Sequence, residues 1–342
     1  MSRKEILYIR GQKTVRHCFC GGRISNGRSV FRPRNPGLQP GWAPLTCFIL
    51  LAVISFASCG REGKVREIDF RDTVELKDSS LSGMPEINIC VGSMITPKEG
   101  YAYYKALLNY IGDRLKMKVN FIEKESYAEV NSLLEKGKID IAFVCGGPYI
   151  DGHDEFGLEL LAAPQVDGKA VYYSYIIVRK DSNINKFEEL RGKTFVFVDP
   201  ISNSGKTYPA YLVKQMKETT ETFFKEYVYS YAHDTSIRAV AQGIVDAGAV
   251  DSLIWNYMER NESPFTKLTR IIKISPAYGI PPVVVRPTLK KDLKDELKQI
   301  LINMHLNERG EEILEKMGID RFVEIDDSDY NSIREIRKYV GK

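Results

Sequence analysis

The segment Asp199-Pro-Ile-Ser-Asn-Ser-Gly-Lys-Thr207 carries the side chains best suited to bind an anion. Ser202, Asn203 and Ser204 offer side-chain donors. The segment follows a strand-like run and precedes a helix-like one, and the N–H groups and dipole of a helix N-terminus attract negative charge. Gly205 lets the backbone approach a ligand closely. An ordinary Ser/Asn helix cap has the same composition, so this segment alone indicates either a cap or an anion site.

Enzymatic interpretations find less support in the sequence. Gly205-Lys206-Thr207 ends like a nucleotide-binding P-loop, but that motif needs glycine at position 200, where the chain has Pro200. The motifs suggest no nucleophile–base pair and no metal-ligand cluster. We therefore expect no catalytic residue, no metal and no cofactor, and a phosphoester hydrolase is the least favoured class.

Three further strand-to-helix junctions carry polar or aromatic groups of the same kind. Segment 93–97 leads into a tyrosine-rich helix, in which Tyr101 is our first choice for a ligand contact and Tyr103 the second. Tyr149 follows Gly-Gly-Pro after another strand, and His233 stands at the start of a helix after a third. In an α/β fold, ligands bind at the carboxyl ends of strands, so we expect all four junctions to face one cleft.

Asp251 directly follows a strand-like run at 247–250, and we place it in the predicted cleft. A carboxylate accepts a hydrogen bond from a protonated oxyanion and repels one that has no proton. We include Asp251 among the predicted ligand residues on this ground. Asp246, in a tight turn before the same strand, is interpreted as a cap.

Strand-like and helix-like segments alternate from residue 85 onward, which predicts an α/β fold. Two such sets, joined by crossing stretches near 171–178 and 275–285, predict two lobes with the ligand cleft between them. We expect each lobe to be a mainly parallel sheet flanked by helices. The predicted organisation is a basic leader with a signal peptide at 1–58, a tether at 59–84, a first lobe from 85–173 plus 281–342, and a second lobe from 174–280.

Positive charge is concentrated at the start of the chain. Of 342 residues with a formal net charge of +4, residues 1–58 contain nine Lys/Arg and one acid, a net of +8. The remainder has 40 basic and 44 acidic residues, a net of −4. The composition, 43% hydrophobic and 27% charged, is that of a soluble globular protein. The overall basic balance therefore gives no support to nucleic acid as a partner.

The leader ends in the uncharged stretch 45–58, which is shorter than the ~20 residues of a transmembrane helix. A basic region, a short apolar core and small terminal residues are typical of a secretory signal. Phe56-Ala57-Ser58-Cys59-Gly60 resembles a bacterial lipobox, although Phe56 stands where leucine is usual. We expect cleavage and lipidation at Cys59, with a signal anchor as the alternative. We expect the protein in the periplasm or at the cell surface, anchored to the membrane by lipid.

Cys90 and Cys145 are the other two cysteines that a protein cleaved at Cys59 keeps. Export to an oxidising compartment would allow them to form a disulfide. Two buried thiols in adjacent core strands are the favoured interpretation.

The order of these motifs resembles the phosphate-, phosphite- and phosphonate-binding proteins of bacterial ABC importers. The likeness covers residues 85–320 and rests on these segments: 101–107, Ile139-Asp-Ile-Ala-Phe, Pro148-Tyr149, 168–174, Leu190-Arg-Gly-Lys-Thr-Phe, Asp199-Pro-x-Ser-x-Ser-Gly205, His233-Asp234, 245–249 and 275–282. It implies a two-lobed periplasmic binding protein fold of type II that closes on its ligand. It also implies an anion shell formed by the turn 202–204, a tyrosine near position 101, Tyr149 and His233.

Departures from the family pattern bear on the ligand. Asn203 stands where the family usually has threonine, and Lys206 where a bulkier apolar or aromatic residue is common; we expect Lys206 to face solvent. Phosphonate-binding members place an additional carboxylate for a substrate amine beyond the Val-Asp-Ala motif. This chain has Leu253 and Ile254 there, so the resemblance gives no support to an aminophosphonate ligand.

The prediction for function is a monomeric solute-binding component of an ABC importer. It would capture a small phosphorus oxyanion, namely phosphate, phosphite or a phosphonate, and pass it to permease and ATPase subunits. A periplasmic sensing module of the same fold, reporting to a membrane kinase or receptor, is the alternative. The sequence does not distinguish among the oxyanions.

Overall fold

The computed structural model describes residues 83–92, 94 and 97–341, with side chains in the first helix from Tyr104 onward. The predicted leader and the lipidation site Cys59 lie outside these residues, as does the tether except for its last two positions. Among the helices that the structure describes, none combines the length and the apolar character that a membrane crossing requires.

Thirteen strands and eleven α-helices alternate along the described residues. The strands are β1 (Glu86–Val91), β2 (Lys118–Glu123), β3 (Ile141–Phe143), β4 (Glu159–Gln165), β5 (Val171–Tyr172), β6 (Ser174–Arg179), β7 (Thr194–Phe197), β8 (Glu226–Tyr229), β9 (Ala247–Asp251), β10 (Thr269–Ile274), β11 (Tyr278–Gly279), β12 (Val283–Val285) and β13 (Arg321–Val323). The helices are α1 (Pro97–Leu115), α2 (Tyr127–Glu135), α3 (Gly146–Phe156), α4 (Tyr208–Gln215), α5 (Thr220–Phe223), α6 (His233–Ala241), α7 (Ser252–Arg260), α8 (Pro264–Lys267), α9 (Lys291–Ile302), α10 (Glu308–Met317) and α11 (Asn331–Val340).

A six-stranded sheet forms the centre of the first lobe, in the order β13-β4-β12-β3-β1-β2. Strand β1 pairs in parallel with β2 and with β3, as expected for strands joined by crossover helices. Strand β12 pairs antiparallel with β3 and β4, and β13 pairs antiparallel with β4. The three residues of β3 and of β12 are buried, because helices cover both faces at the centre of the sheet.

A five-stranded sheet forms the centre of the second lobe, in the order β10-β6-β9-β7-β8. Strand β7 pairs in parallel with β8 and β9, whereas β6 pairs antiparallel with β9 and β10. The two-lobed α/β class is thus confirmed, but both sheets are mixed rather than mainly parallel. Strands β6 and β12 are among the antiparallel ones. Each follows a crossing segment and runs opposite to the parallel strands of its sheet.

The crossing segments pair with each other between the two sheets. Strand β5 pairs antiparallel with β11, with Tyr172 opposite Tyr278. The crossing stretch predicted near 171–178 therefore consists of two strands that belong to different sheets and are separated at Tyr173. A continuous apolar run does not reveal such a break, because the break depends on where the chain leaves one sheet for another.

Helix α11 contacts elements of both lobes. Arg337, mostly buried, donates from Nη1 to the carbonyl of Gly147 at the start of α3, 2.8 Å away. In the second lobe, Lys214 of α4 donates from Nζ to the carbonyl of Val340 at 3.2 Å, and the rings of Tyr211 and Tyr339 lie 5.1 Å apart. The last described helix therefore ties α3 to α4.

Both cysteines of the described residues are buried free thiols, Cys90 on β1 and Cys145 just after β3. The interpretation as two separate buried thiols is confirmed, although Cys145 lies at the N-cap of α3 rather than in a strand.

Candidate functional site

Four buried polar atoms without a hydrogen-bond partner stand out among the described residues. They are Tyr127 OH, Asn203 Oδ1, Ser204 Oγ and His233 Nε2, which we call the donor cluster. Proteins rarely leave buried polar atoms unpaired, since each one costs about 1–3 kcal/mol. The donor cluster therefore indicates a site at which a polar ligand supplies the missing partners.

Each residue of the donor cluster lies at the start of a helical segment. Tyr127 is the first residue of α2, whose N-cap Ser126 accepts from Glu129 N. His233 is the first residue of α6. Asn203 and Ser204 begin a π-helical turn, Asn203–Thr207, that leads into α4. The positive ends of the backbone dipoles at these starts favour a negatively charged ligand.

Contacts between the lobes bring these helix starts together. Asp199 in the second lobe accepts a hydrogen bond at Oδ2 from the Tyr127 amide in the first lobe, at 3.1 Å. The amide of His233 donates to the carbonyl of Met94 at 3.2 Å. Gly147 lies so close to Ile201 that a β-carbon at position 147 would meet the Ile201 carbonyl oxygen at 2.1 Å. The residues of the donor cluster thus belong to both lobes, and these contacts bring the two lobes together near them.

A network of buried hydrogen bonds holds the start of the π-helical turn in place. Ser174 Oγ donates to the carbonyl of Ser204 at 2.7 Å. The Tyr172 hydroxyl lies 3.0 Å from Asn203 Nδ2, which donates to it, and 3.3 Å from Cys145 Sγ. If the Asn203 amide is turned by 180°, Tyr172 donates to its oxygen and its NH₂ faces the cluster. The amide can therefore present a donor to an anion without any other rearrangement.

The protonation state of His233 follows from its partner. Nδ1 lies 2.9 Å from the Asp251 amide nitrogen, and since an amide N–H only donates, Nδ1 carries no proton. Burial lowers the pKa of His233 to about 3, so the ring is neutral near pH 7 and its proton is on Nε2. His233 Nε2 is consequently a neutral donor in the cluster.

Burial likewise keeps the hydroxyl of Tyr127 protonated, since it raises the pKa of that group well above its ordinary value. Ser204 Oγ also carries a proton that it can donate. The donor cluster is made entirely of neutral side chains.

Asp251, a predicted ligand residue, lies next to His233 and has a structural role. It is buried, and its Oδ1 accepts from the Leu253 amide at 2.7 Å as the N-cap of α7. Burial raises the pKa of this carboxyl to about 7. Asp251 is paired in register with Ser174, whose hydroxyl holds the Ser204 carbonyl. Its role as a ligand contact remains a prediction.

Three predicted site residues have hydrogen-bond partners within the protein. Tyr149 is buried, but its hydroxyl donates to Asp327 Oδ1 at 2.7 Å, so this group does not join the donor cluster. The amide of Gly205 donates to Ser202 Oγ at 3.1 Å, and the glycine is needed because a β-carbon would meet Val198 Cβ at 2.5 Å. Ser202 is therefore the cap of the turn.

The remaining predictions concern Tyr101 and Lys206. Tyr101 belongs to α1, and its side chain lies outside the described ones. Lys206 Nζ lies 4.1 Å from the centre of the Phe197 ring and 3.5 Å from Thr220 Oγ1, so it is partly buried in an aromatic contact rather than facing solvent. In the part of the chain that the structure describes, no group of His, Cys, Asp and Glu could hold a metal ion.

Sequence reasoning missed Tyr127 and Tyr172. Tyr127 follows β2 at a strand-to-helix junction like the four that the sequence analysis singles out. Its ring lies against the end of β1, where a β-carbon on Gly92 would meet Tyr127 Cε1 at 2.6 Å. The junction was a usable signal for Tyr127. Tyr172 carried no such signal, because its role depends on a contact with Asn203, 31 positions away.

A two-lobed α/β fold that holds a polar ligand between helix starts is the architecture of the periplasmic binding proteins. Residues 89–330 match the family described as "ABC transporter, phosphonate, periplasmic substrate-binding protein", and the chain belongs to this family. By that description its members bind substrates and are not enzymes.

The names of three curated relatives refer to three related ligands, namely phosphonates, phosphite and phosphate. The chain is 28% identical over 210 residues to the phosphonates-binding periplasmic protein of Escherichia coli, covering 60% of this chain and 62% of the relative. It is 27% identical over 167 residues, 47% of this chain and 56% of the relative, to an ABC transporter phosphite-binding protein of Prochlorococcus marinus. It is 32% identical over 166 residues, 45% and 51%, to a phosphate-import protein of Mycolicibacterium smegmatis. The matches thus span about half to three fifths of the relatives' length.

Solved structures share the fold. The binding protein component of an ABC phosphonate transporter from Pseudomonas aeruginosa aligns with a TM-score of 0.71 at 23% identity, over 75% of this chain and 87% of that one. A Prochlorococcus marinus protein in complex with methylphosphonate aligns with a TM-score of 0.69 at 20% identity, over 75% and 98%. This chain therefore shares its two-lobed architecture with both solved structures.

Proposed function

We propose that the protein binds a small phosphorus oxyanion, namely phosphate, phosphite or a phosphonate, as the solute-binding component of an ABC importer. The observation that carries this proposal is the donor cluster, whose unpaired buried atoms lie at helix starts of both lobes. The names of the curated relatives agree with this class of ligand, since they cover phosphonate, phosphite and phosphate.

The chemistry of the cluster suits an oxyanion with several acceptor oxygens. Tyr127 OH, Ser204 Oγ and His233 Nε2 each donate one hydrogen bond, and the turned amide of Asn203 donates another. Hydrogen bonds to an ionised acceptor are roughly twice as strong as those between neutral groups. Neutral donors at helix starts also avoid the cost of burying a charged side chain beside the ligand.

Ligand binding and closure of the lobes would be coupled through the same atoms. With the lobes in contact and no acceptor present, each unpaired group costs about 1–3 kcal/mol. Water satisfies these groups when the lobes are apart. An oxyanion removes the penalty only in the closed arrangement, so it shifts the population toward that arrangement.

Location and partners follow from the same proposal. The protein would act in the periplasm or at the cell surface as a monomer, held to the membrane by lipid on Cys59. It would deliver its ligand to permease and ATPase subunits. The family to which the chain belongs is described by periplasmic substrate binding for ABC transporters, which supports this arrangement.

Isothermal titration calorimetry of the purified protein, freed of bound ligand, tests the proposal with phosphate, phosphite and methylphosphonate. We expect saturable binding of at least one anion. Ser204→Ala removes an unpaired hydroxyl and should weaken that binding by about tenfold or more, since a hydrogen bond to a charged group contributes about 1.5–3 kcal/mol. The matched control is Ser182→Ala, whose hydroxyl only accepts from the Ile184 amide in a loop; its affinity should equal that of the wild type. Absence of binding for all three anions, or wild-type affinity in Ser204→Ala, would contradict the proposal.

A further inference from the structure

Three buried side chains connect the first lobe to the donor cluster through hydrogen bonds. Cys145 Sγ lies 3.3 Å from the hydroxyl of Tyr172, and that hydroxyl lies 3.0 Å from Asn203 Nδ2. Cys145 is the N-cap of α3 in the first lobe, Tyr172 stands on β5, and Asn203 begins the π-helical turn of the second lobe. The thiol is therefore two hydrogen bonds away from the Asn203 amide, whose oxygen is an unpaired atom of the donor cluster.

The hydroxyl of Tyr172 has a single proton, so the direction of its bond with Cys145 is tied to the orientation of Asn203. When the Asn203 NH₂ group donates to Tyr172, the hydroxyl is left to donate to the sulfur, and Asn203 Oδ1 faces the cluster. When the amide is reversed, the hydroxyl donates to Asn203 Oδ1 and accepts from the thiol, and the NH₂ group faces the cluster. Only the second direction offers an anion a donor from Asn203.

The surroundings of Cys145 favour this second direction. Burial raises the pKa of the thiol, so the sulfur keeps its proton. The backbone amides of Asn203 and Gly147 donate toward the sulfur, and an amide N–H group cannot accept in return. Sulfur is a weak acceptor, so with two N–H groups already directed at it the S–H proton is what it has to offer, and the Tyr172 hydroxyl is an acceptor within reach.

We infer that Cys145 and Tyr172 are positioning residues for the anion. The thiol donates to the Tyr172 hydroxyl, and that hydroxyl holds Asn203 by its carbonyl oxygen, so that the NH₂ group is directed at the ligand. The inference rests on the proposed function and explains how the fourth donor of the cluster is fixed. Because Cys145 belongs to the first lobe and Asn203 to the second, the three residues are connected only when the lobes meet.

A double-mutant cycle with Tyr172→Phe and Asn203→Ala tests the role of Tyr172. Calorimetric titration measures the affinity of the wild type and of each variant for phosphate, phosphite and methylphosphonate. Tyr172→Phe leaves the buried Asn203 carbonyl without its donor when the NH₂ group faces the anion, so affinity should fall by about tenfold. In the Asn203→Ala background, which has no amide to orient, the same change should alter affinity by less than about twofold.

Two results of this cycle would overturn the inference. One is wild-type affinity in Tyr172→Phe. The other is an equal loss of affinity in both backgrounds, because Tyr172 would then act through packing alone. Failure of the wild type to bind any of the three anions would instead contradict the oxyanion site itself.

Infrared spectroscopy of the S–H stretching band tests the direction of the bonds independently of affinity. The band of Cys145 is identified by its loss in Cys145→Ala, and Cys90→Ala, which removes the other buried thiol of the described residues, is the matched control. With the tightest-binding of the three anions present, the wild-type band should lie at the lowered frequency of a donating thiol. In Tyr172→Phe it should move to the frequency of a free thiol. A free-thiol frequency in the anion-bound wild type would overturn the assignment of Cys145 as the donor.

Discussion

Replacing Tyr127 by phenylalanine deletes a single oxygen atom from the donor cluster. That hydroxyl is buried and has no partner within the protein, so its removal strands no other group. With the lobes apart in the absence of ligand, as proposed above, water satisfies this hydroxyl, so we expect the free energy of unfolding without ligand to change by less than about 0.5 kcal/mol. A hydrogen bond from this hydroxyl to an oxyanion contributes about 1.5–3 kcal/mol. At 1.4 kcal/mol per factor of ten, the anion affinity of Tyr127→Phe should fall by about ten- to a hundredfold.

Tyr330→Phe is the matched control for this prediction. Tyr330 is also fully buried, but its hydroxyl donates to the carbonyl of Ile280 at 2.9 Å. Its loss leaves a buried carbonyl without that donor, which should lower the free energy of unfolding by about 1–3 kcal/mol and leave anion affinity unchanged. Urea unfolding and calorimetric titration of both variants measure the two quantities. A Tyr127→Phe protein that is destabilised yet binds with wild-type affinity would refute the assignment of Tyr127 to the site.

Two further predictions concern pH and contact between the lobes. Burial lowers the pKa of His233 from 6.5 to about 3. The stability that depends on the neutral His233 ring is therefore complete above pH 6.5 and is lost as the pH falls toward 3, because the unfolded chain takes up the proton first. Burial raises the pKa of Asp251 from 3.8 to about 7, so its contribution is complete below pH 3.8 and is lost as the pH rises through 7. Asp251→Asn should therefore gain stability relative to the wild type as the pH rises over that window in urea unfolding; parallel pH profiles would be inconsistent with a buried acid. Gly147→Ala places a β-carbon 2.1 Å from the Ile201 carbonyl oxygen. It should weaken oxyanion binding by about tenfold or more and keep the lobes apart in small-angle scattering with ligand; normal affinity would show that the lobes need not meet there.

The sequence predicted the parts of the fold that depend on local pattern. Alternation of strands and helices identified the α/β class, because each βαβ unit is encoded within a short stretch of chain. The prediction of mainly parallel sheets was wrong. Antiparallel strands such as β12 join their sheet from far along the chain, since Val283 of β12 pairs with Phe143 of β3, 140 residues earlier. Periodicity carries no information on such distant pairing.

The same distinction holds for the candidate site. The residues 202–204 and His233 were found because strand-to-helix junctions can be recognised locally, and Ser204, Asn203 and His233 contribute unpaired atoms. Tyr149 was predicted from its junction as well, but its hydroxyl donates to Asp327, 178 positions away, a partner that no local pattern reveals. Side chains of one type at similar junctions thus acquire different roles through contacts that only the folded chain creates.

Helix α11 has a consequence for the order in which the molecule folds. Its hydrogen bonds join Arg337 to Gly147 across 190 positions and Lys214 to Val340 across 126. Contacts at such separations close large loops and form late, after local units have gained structure of their own. We expect each sheet to acquire protected amides first in pulse-labelled hydrogen exchange, with the amides of α11 last. During that interval the apolar faces on which α11 packs stay open to water, so this seam is where a folding chain is most exposed to aggregation.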